Sequence, residues 1–473
     1  MSAEREHFSS KLGFILAAAG SAVGIGNLVG FPVAAAKNGG GAFLIIYALF
    51  VILICLPIMM AEMSVGRHTN KDPLGAYKSI SNNDTKWKIA GLIGVLTPFM
   101  IALFYMVITV WIFGYLYHAV TGNLAALADP DMFGKFVTSN SLFIYMIAVV
   151  GITGVILMSG VKQGIERAAK ILMPSLFVLL ILLVIYVLTL DNAFAGVAFY
   201  LVPDFSKING TVISSALSQA FFSLSLGMGI LVTYGSYISK KQDIADSSKL
   251  VALTDTSVAF VAGLMIMPAI FSFNPMVDPD QLSESSVNLI FVLLPKIFLS
   301  LQTDIGYFGA SAIASVFFLL VFFAAITSLV SIIEVPNSAL MDGAKVSRKK
   351  SLGYLAVIMV FLTVLTSMSF GMSEGLTNLT HYAGASKSMF DVIYDVFYDT
   401  ILPLNGLLIC LFVMYRWKMA NFNKELSEGL EKGKHSILLK YSDIALKTYI
   451  PVILAVVFIN TVASKFFGYK LLF

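Results

Sequence analysis

Long apolar runs, separated by short clusters rich in charge, glycine, proline and asparagine, dominate the chain from residue 12 to residue 464. Crossing about 30 Å of hydrocarbon takes roughly 17 to 25 helical residues. Runs of that size number eleven: 12–36, 42–65, 89–120, 141–160, 168–190, 212–238, 250–273, 308–334, 352–373, 389–415 and 448–464. The pattern predicts an all-α polytopic membrane protein with eleven transmembrane helices. Between the seventh and eighth runs, residues 275–307 begin too polar to span, yet Val287 to Phe298 is apolar and has the length of a re-entrant or capping helix.

Composition agrees, since 58% of the 473 residues are hydrophobic and only 12% charged, against about 25% charged in a soluble domain. Cys55 and Cys410 lie inside apolar runs, as packing residues rather than a disulfide framework. The first run lacks the short core and small-residue cleavage site of a secretory signal. Lys and Arg divide unevenly between the two sides: 24 of 31 fall on the side of the N-terminus, and the other side has Lys37, Lys135, Lys207, Lys296, Lys387, Lys465 and Lys470. Positive residues favour the cytoplasm. The N-terminus is therefore expected inside the cell, in the plasma (inner) membrane, and the C-terminus outside. The net charge of +4 follows from this bias, and no basic stripe points to nucleic acid. The lysine-rich stretch from Arg416 to Lys447 reads as a solvated loop or a contact with anionic lipid.

Polarity inside the spans is sparse and localised. The first run carries Gly20, Gly24 and Gly26 among Ser21, Ala22, Val23, Ile25 and Asn27, and the sixth repeats the anomaly with Ser223, Ser225, Gly227 and Met228. Each glycine costs about 1 kcal/mol of helix propensity relative to alanine. A single glycine-rich helix reads as close packing, but two breaks at corresponding positions mark a midplane binding site whose freed N–H groups suit an anion and whose carbonyls suit Na⁺. Asp255, buried by position in the seventh run, must be protonated, paired or bound to a cation. Thr327 and Ser328 are adjacent hydroxyls in the eighth run, where back-bonding to their own helix is the simpler reading. Tyr47, Glu62, Tyr105 and Gln219 are further polar candidates, with Glu62 and Glu334 near enough to helix ends to snorkel or cap. A channel would need a continuous polar lining. An enzyme would need a nucleophile–base pair or a metal cluster, and His7, His68, His118, His381 and His435 all fall outside span cores.

Arg5-Glu6-His7, Phe31-Pro32, Asn38-Gly39-Gly40-Gly41-Ala42-Phe43, Gln219-Ala220-Phe221-Phe222-Ser223-Leu224-Ser225 and Thr327-Ser328 together resemble the neurotransmitter:sodium symporters, particularly their bacterial amino-acid-transporting members. The resemblance spans nearly the whole chain. It implies the LeuT-like fold, with five-helix repeats at 12–190 and 212–415 in inverted orientation, helices one and six unwound, and 448–464 as an additional helix. It implies a first sodium site of the Ala22 carbonyl, Asn27, Ser223, Asp255 and the solute's carboxylate. A second would use the carbonyls of Gly20, Val23 and Ala324 with the hydroxyls of Thr327 and Ser328. Oxygen ligands suit this hard cation, and a carboxylate shared between ion and solute couples their affinities.

The solute pocket implied by the resemblance takes Ser21, Ala22, Ile25 and Gly26 from helix one and Ile101 and Tyr105 from helix three. Helix six adds Phe222, Ser223, Ser225 and Met228, and helix eight Ser328 and Ile332, with Tyr105 on the carboxylate. The cytoplasmic gate would pair Arg5 with Asp342, supported by Ser236 and Tyr237. At the extracellular gate Gly30 and Tyr394 stand where the family has an Arg–Asp pair, so closure is expected through Tyr105 and Phe222 with Tyr394 packed beside Gly30. Gly164 and Pro174 match a spacing associated with local unwinding of helix five. Monoamine members carry an aspartate at the position of Gly24, so the solute here should supply its own carboxylate. In chloride-dependent relatives an anion uses the positions of Tyr47, Gln219, Ser223 and a serine; here that serine is Ala259, and Asp255 supplies a fixed charge. The expectation is a symporter coupled to two Na⁺, without chloride, importing a neutral hydrophobic amino acid by alternating access. A carboxylated solute other than an α-amino acid is the alternative.

Overall fold

The computed structural model describes residues 6–273, 286–429 and 436–469. Among these, nine helices are long and apolar enough to cross a membrane: Gly41–Thr69, Thr85–Val120, Ser141–Met158, Val161–Val187, Ile244–Phe273, Gln302–Ala344, Arg348–Met368, Met389–Ser427 and Tyr449–Phe467. A tenth span is a bent pair, Lys11–Ala22 and Gly26–Lys37, which meet at 56°. The sixth run forms two pieces, Gly210–Ser223 and Ile230–Gly235, each too short to span alone. With the broken segments as helices one and six, the others are numbered two to five and seven to eleven in chain order.

Local backbone chemistry explains both breaks. Helix one starts at a serine cap, where Ser10 accepts the Gly13 N–H at 3.0 Å, and stops where Val23 turns extended. It resumes as a wide turn over Gly26–Gly30. Helix six starts at Asn209, which accepts the Val212 N–H at 3.0 Å. It ends in a left-handed turn with φ of 54° at Ser225, 76° at Gly227 and 68° at Gly229. A Cβ on Gly227 would overlap the Leu402 carbonyl of helix ten, so glycine is needed there for space as well as for φ.

Helix eight is the central pillar, with 83% of its most apolar stretch buried, against 17% for helix eleven at the periphery. Helices three, five and one pack against it, leaving the two breaks facing each other across its middle. It follows a kink at Gly306, where φ is 71°. The short apolar run before it forms the helix Leu289–Ser300, whose Phe291 packs on Trp111, Phe133 and Tyr115 of the far side. The chain is not wholly helical. Thr380–Tyr382 pairs antiparallel with Ala385–Lys387, closed by Ala383 and Gly384, both at positive φ as a two-residue hairpin turn demands.

The C-terminal end of helix ten, within the lysine-rich stretch from Arg416, also departs from a solvated loop. Glu425, 2% exposed, accepts from Arg67 Nε at 2.7 Å, His68 Nδ1 at 3.0 Å and Lys240 Nζ at 2.6 Å. Arg67 is fully buried, so this segment is an anchored part of the fold.

Candidate functional site

At the first break, the Asn27 amide nitrogen donates to Asp255 Oδ1 at 2.7 Å and to Ser223 Oγ at 2.9 Å. Its oxygen accepts the Gly24 N–H at 3.0 Å. Asp255 is fully buried and uses its second oxygen to accept the Ser223 hydroxyl at 2.7 Å and the Tyr47 hydroxyl at 3.4 Å. Helices one, two, six and seven are thus joined at a carboxylate with no cationic side chain among these partners. Such a cluster is stable in an apolar interior only with its charge neutralised or balanced.

Some 300 residues later in the chain, Ser328 reaches across to helix one instead of bonding its own helix. Its hydroxyl lies 3.4 Å from the Gly20 carbonyl, 3.1 Å from that of Ser21 and 3.3 Å from that of Val23. Thr327 does back-bond, to Phe323 and Ala324 at 3.0 and 3.1 Å. The carbonyls freed where helix one unwinds therefore converge on Ser328 of helix eight, next to Thr327 in the chain.

Between these clusters sit residues that the sequence assigns to a solute pocket. Tyr105 sits half-buried with its hydroxyl 3.4 Å from the Ile25 N–H. Ser225 donates to the Ser21 carbonyl at 3.2 Å, tying the two breaks together. The Ser21 hydroxyl is buried and has no partner among the described residues. Ala22, Ile25, Ile101, Met228 and Ile332 are buried apolar neighbours, whereas Gly26 is exposed. A Cβ on Gly24 would lie 2.7 Å from the Tyr105 hydroxyl and 2.9 Å from Ser328 Oγ, so a side chain there would have to displace both hydroxyls.

On the N-terminal side the site is sealed. Phe8 packs edge-on to Phe14, Tyr234 and Tyr237 at 5.5 to 6.2 Å, and its N–H donates to the Tyr237 carbonyl at 3.1 Å. Tyr237 donates to Glu334 at 2.8 Å, and Arg348 grips Glu334 with two bonds of 2.8 Å. Glu334 is fully buried, so it does not snorkel. Glu62 likewise stays inside and accepts the Gly227 N–H at 2.8 Å, as the capping reading allows. Asp342 accepts the Asp72 N–H at 3.2 Å, and Ser236 turns back onto the Thr233 carbonyl at 2.5 Å. Arg5 lies outside the described residues. Glu166, in the wide turn Val161–Glu166 that holds Gly164, accepts the Ser9 N–H at 2.7 Å, the Ser9 hydroxyl at 2.5 Å and Lys170 at 2.6 Å.

On the opposite side, Phe222 stacks on Tyr398 at 4.5 Å. The Tyr394 ring lies against Phe104, Phe390 and Tyr398. Tyr398, Glu166, Arg348 and Phe8 are the residues the sequence reading missed. The one available signal was the charge at Glu166, only two residues past Gly164 in the short link between the predicted spans 141–160 and 168–190.

Two broken helices that meet beside a buried, oxygen-rich carboxylate cluster define a secondary transporter of the broken-helix type. The chain belongs to the sodium:neurotransmitter symporter family, whose model matches residues 5–129 and 131–470. It is 34% identical over 459 residues to the sodium-dependent transporter YhdH of Bacillus subtilis, covering 96% of this chain and 97% of that one. A sodium-dependent transporter of Methanocaldococcus jannaschii is 34% identical over 485 residues, with 99% and 93% covered. The crystal structure of MhsT in complex with L-phenylalanine superposes with a TM-score of 0.83 at 39% identity, covering 96% of this chain and 99% of that one. The protein is a sodium-dependent membrane transporter and not an enzyme.

Proposed function

We propose that the protein imports a neutral, hydrophobic amino acid together with two Na⁺ ions and without chloride. The observation that carries this reading is Asp255. Its carboxylate already takes the Tyr47 and Ser223 hydroxyls, the donors that an external anion would need, and Ala259 beside it offers none. With an ion bound, the Asn27 Oδ1 would leave the Gly24 N–H and turn to the ion, joining the Ala22 carbonyl, Ser223 and Asp255 as the first oxygen set. The Gly20, Val23 and Ala324 carbonyls with Thr327 and Ser328 supply the second.

Gly24 supports a solute that brings its own carboxylate, since the glycine offers no acidic side chain to hold a free amine. Ile25, Ile101, Met228 and Ile332 make the side-chain subsite apolar, and Met228 lets it accommodate several shapes. The phenylalanine bound by MhsT agrees with this class. The halves 12–190 and 212–415 would rock as inverted repeats about the pocket, with the N-terminus cytoplasmic.

Reconstituted protein should accumulate labelled neutral amino acids under an inward Na⁺ gradient, equally in chloride and gluconate, while dopamine-like amines compete poorly. Asp255→Asn removes the charge facing the ion, and Na⁺ affinity should fall about a hundredfold, the equivalent of roughly 3 kcal/mol. A chloride requirement in the parent protein would refute the assignment of Asp255.

A further inference from the structure

We propose that Lys465, on helix eleven and outside the solute path, positions the aromatic lid by clamping the adjacent turn of helix ten. Its ammonium lies 3.0 Å from Asp395 Oδ1 and 2.5 Å from Asp399 Oδ2. The other Asp395 oxygen accepts the Tyr382 hydroxyl at 2.9 Å and faces Lys387 Nζ at 3.2 Å. Both carboxylates are largely withdrawn from solvent, with side chains 6% and 15% exposed, while Lys465 keeps 38%. Two anions on helix ten are thus held between one cation of the hairpin and one of helix eleven.

The same turn carries the lid. Tyr394–Ile401 is wound as a wide π-turn, and the Thr400 hydroxyl ties it by donating to the Asp395 carbonyl at 2.7 Å. Each acid directly follows a lid tyrosine: Tyr394 precedes Asp395 and Tyr398 precedes Asp399. Successive helical residues point about 100° apart, so acids turned toward helix eleven leave the rings turned toward Phe104 and Phe222. Fixing the carboxylates fixes the angle of the rings. Without Lys465 the two acids, four residues apart, would repel, and Asp399 would be a buried charge with its cation removed. A cavity of about 400 Å³ between helices six, ten and eleven, lined by Phe222, Tyr394, Asp399 and Lys465, gives the turn space to shift.

This inference rests on the proposed function only in taking Phe222 to close over the solute, so the test needs two readouts. The first is uptake by Lys465→Met, Lys465→Arg and Lys465→Met with Asp399→Asn in proteoliposomes. The second is the thiol-labelling rate of a Ser218→Cys reporter, which lines the same cavity. Lys465→Met should raise KM about tenfold with maximal rate held within about twofold, and speed labelling about tenfold. Lys465→Arg should restore both to within about twofold, and the double variant should recover part of the loss by neutralising the stranded acid. Unchanged KM and labelling in Lys465→Met, or an arginine variant no better than methionine, would overturn the clamp. If the parent shows no Na⁺-driven uptake, the functional reading fails while labelling still decides the clamp.

Discussion

The two ends of the transport path are closed by different physics. On the N-terminal side closure uses ions and hydrogen bonds: Arg348 on Glu334, Tyr237 on Glu334, Ser9 on Glu166, around the ring of Phe8. On the far side it uses aromatic rings: Phe222, Tyr398, Tyr394 and Phe104 in one continuous chain of stacked, tilted and edge-on contacts. Charges there sit behind the rings, on Asp395, Asp399 and Lys465, rather than across the path. An ion pair is directional and fails as a unit when one partner moves, whereas stacked rings slide with modest change in energy. The N-terminal end is thus expected to behave as a latch, and the far end as a lid that yields gradually.

Breaking the latch should give the largest effect. Arg348→Ala strands the fully buried Glu334, at a cost of about 3 to 5 kcal/mol. Uptake should be abolished and a cysteine placed at Ser9 should label rapidly with or without Na⁺; protection and uptake within about twofold of the parent would show that the pair is not the latch. The lid should respond less sharply. Tyr398→Ala removes an aromatic pair and its burial, about 2 kcal/mol, so the solute Kd should rise roughly thirtyfold while Tyr398→Phe stays near the parent. Equal loss in both variants would mean that the hydroxyl, not the ring face, carries the contact. Glu166→Gln should act least, since the amide still accepts one Ser9 bond and only the charged share is lost. A cost of about 1 kcal/mol would appear as a roughly fivefold faster labelling at Ser9 without loss of solute affinity. A change in affinity there would remove the distinction between the two ends.

Much of the fold was legible in the chain because it is written in local terms. The segments 42–65 and 250–273 correspond to Gly41–Thr69 and Ile244–Phe273, since the thickness of hydrocarbon sets helix length whatever the neighbours are. The breaks were legible at Gly24, Gly26, Gly227 and Gly229, where backbone preference and missing side chains act within a few residues. Asp255 stood out because a carboxylate in an apolar run has few explanations.

What only the tertiary structure decided are the pairings of residues far apart in the chain. Glu334 near a helix end and Lys465 near the chain's end both look like ordinary solvated charges in sequence, because a charge beside an apolar run costs nothing until a neighbour excludes water from it. Whether Ser328 bonds its own helix or the carbonyls of helix one depends on a contact across 308 residues. That Tyr398, in the wide turn Tyr394–Ile401, is the ring stacked on Phe222 follows from how helices six and ten meet. Apolar length and glycine placement are local properties that the sequence states outright; the identity of each buried partner is a property of packing, fixed only when the helices come together.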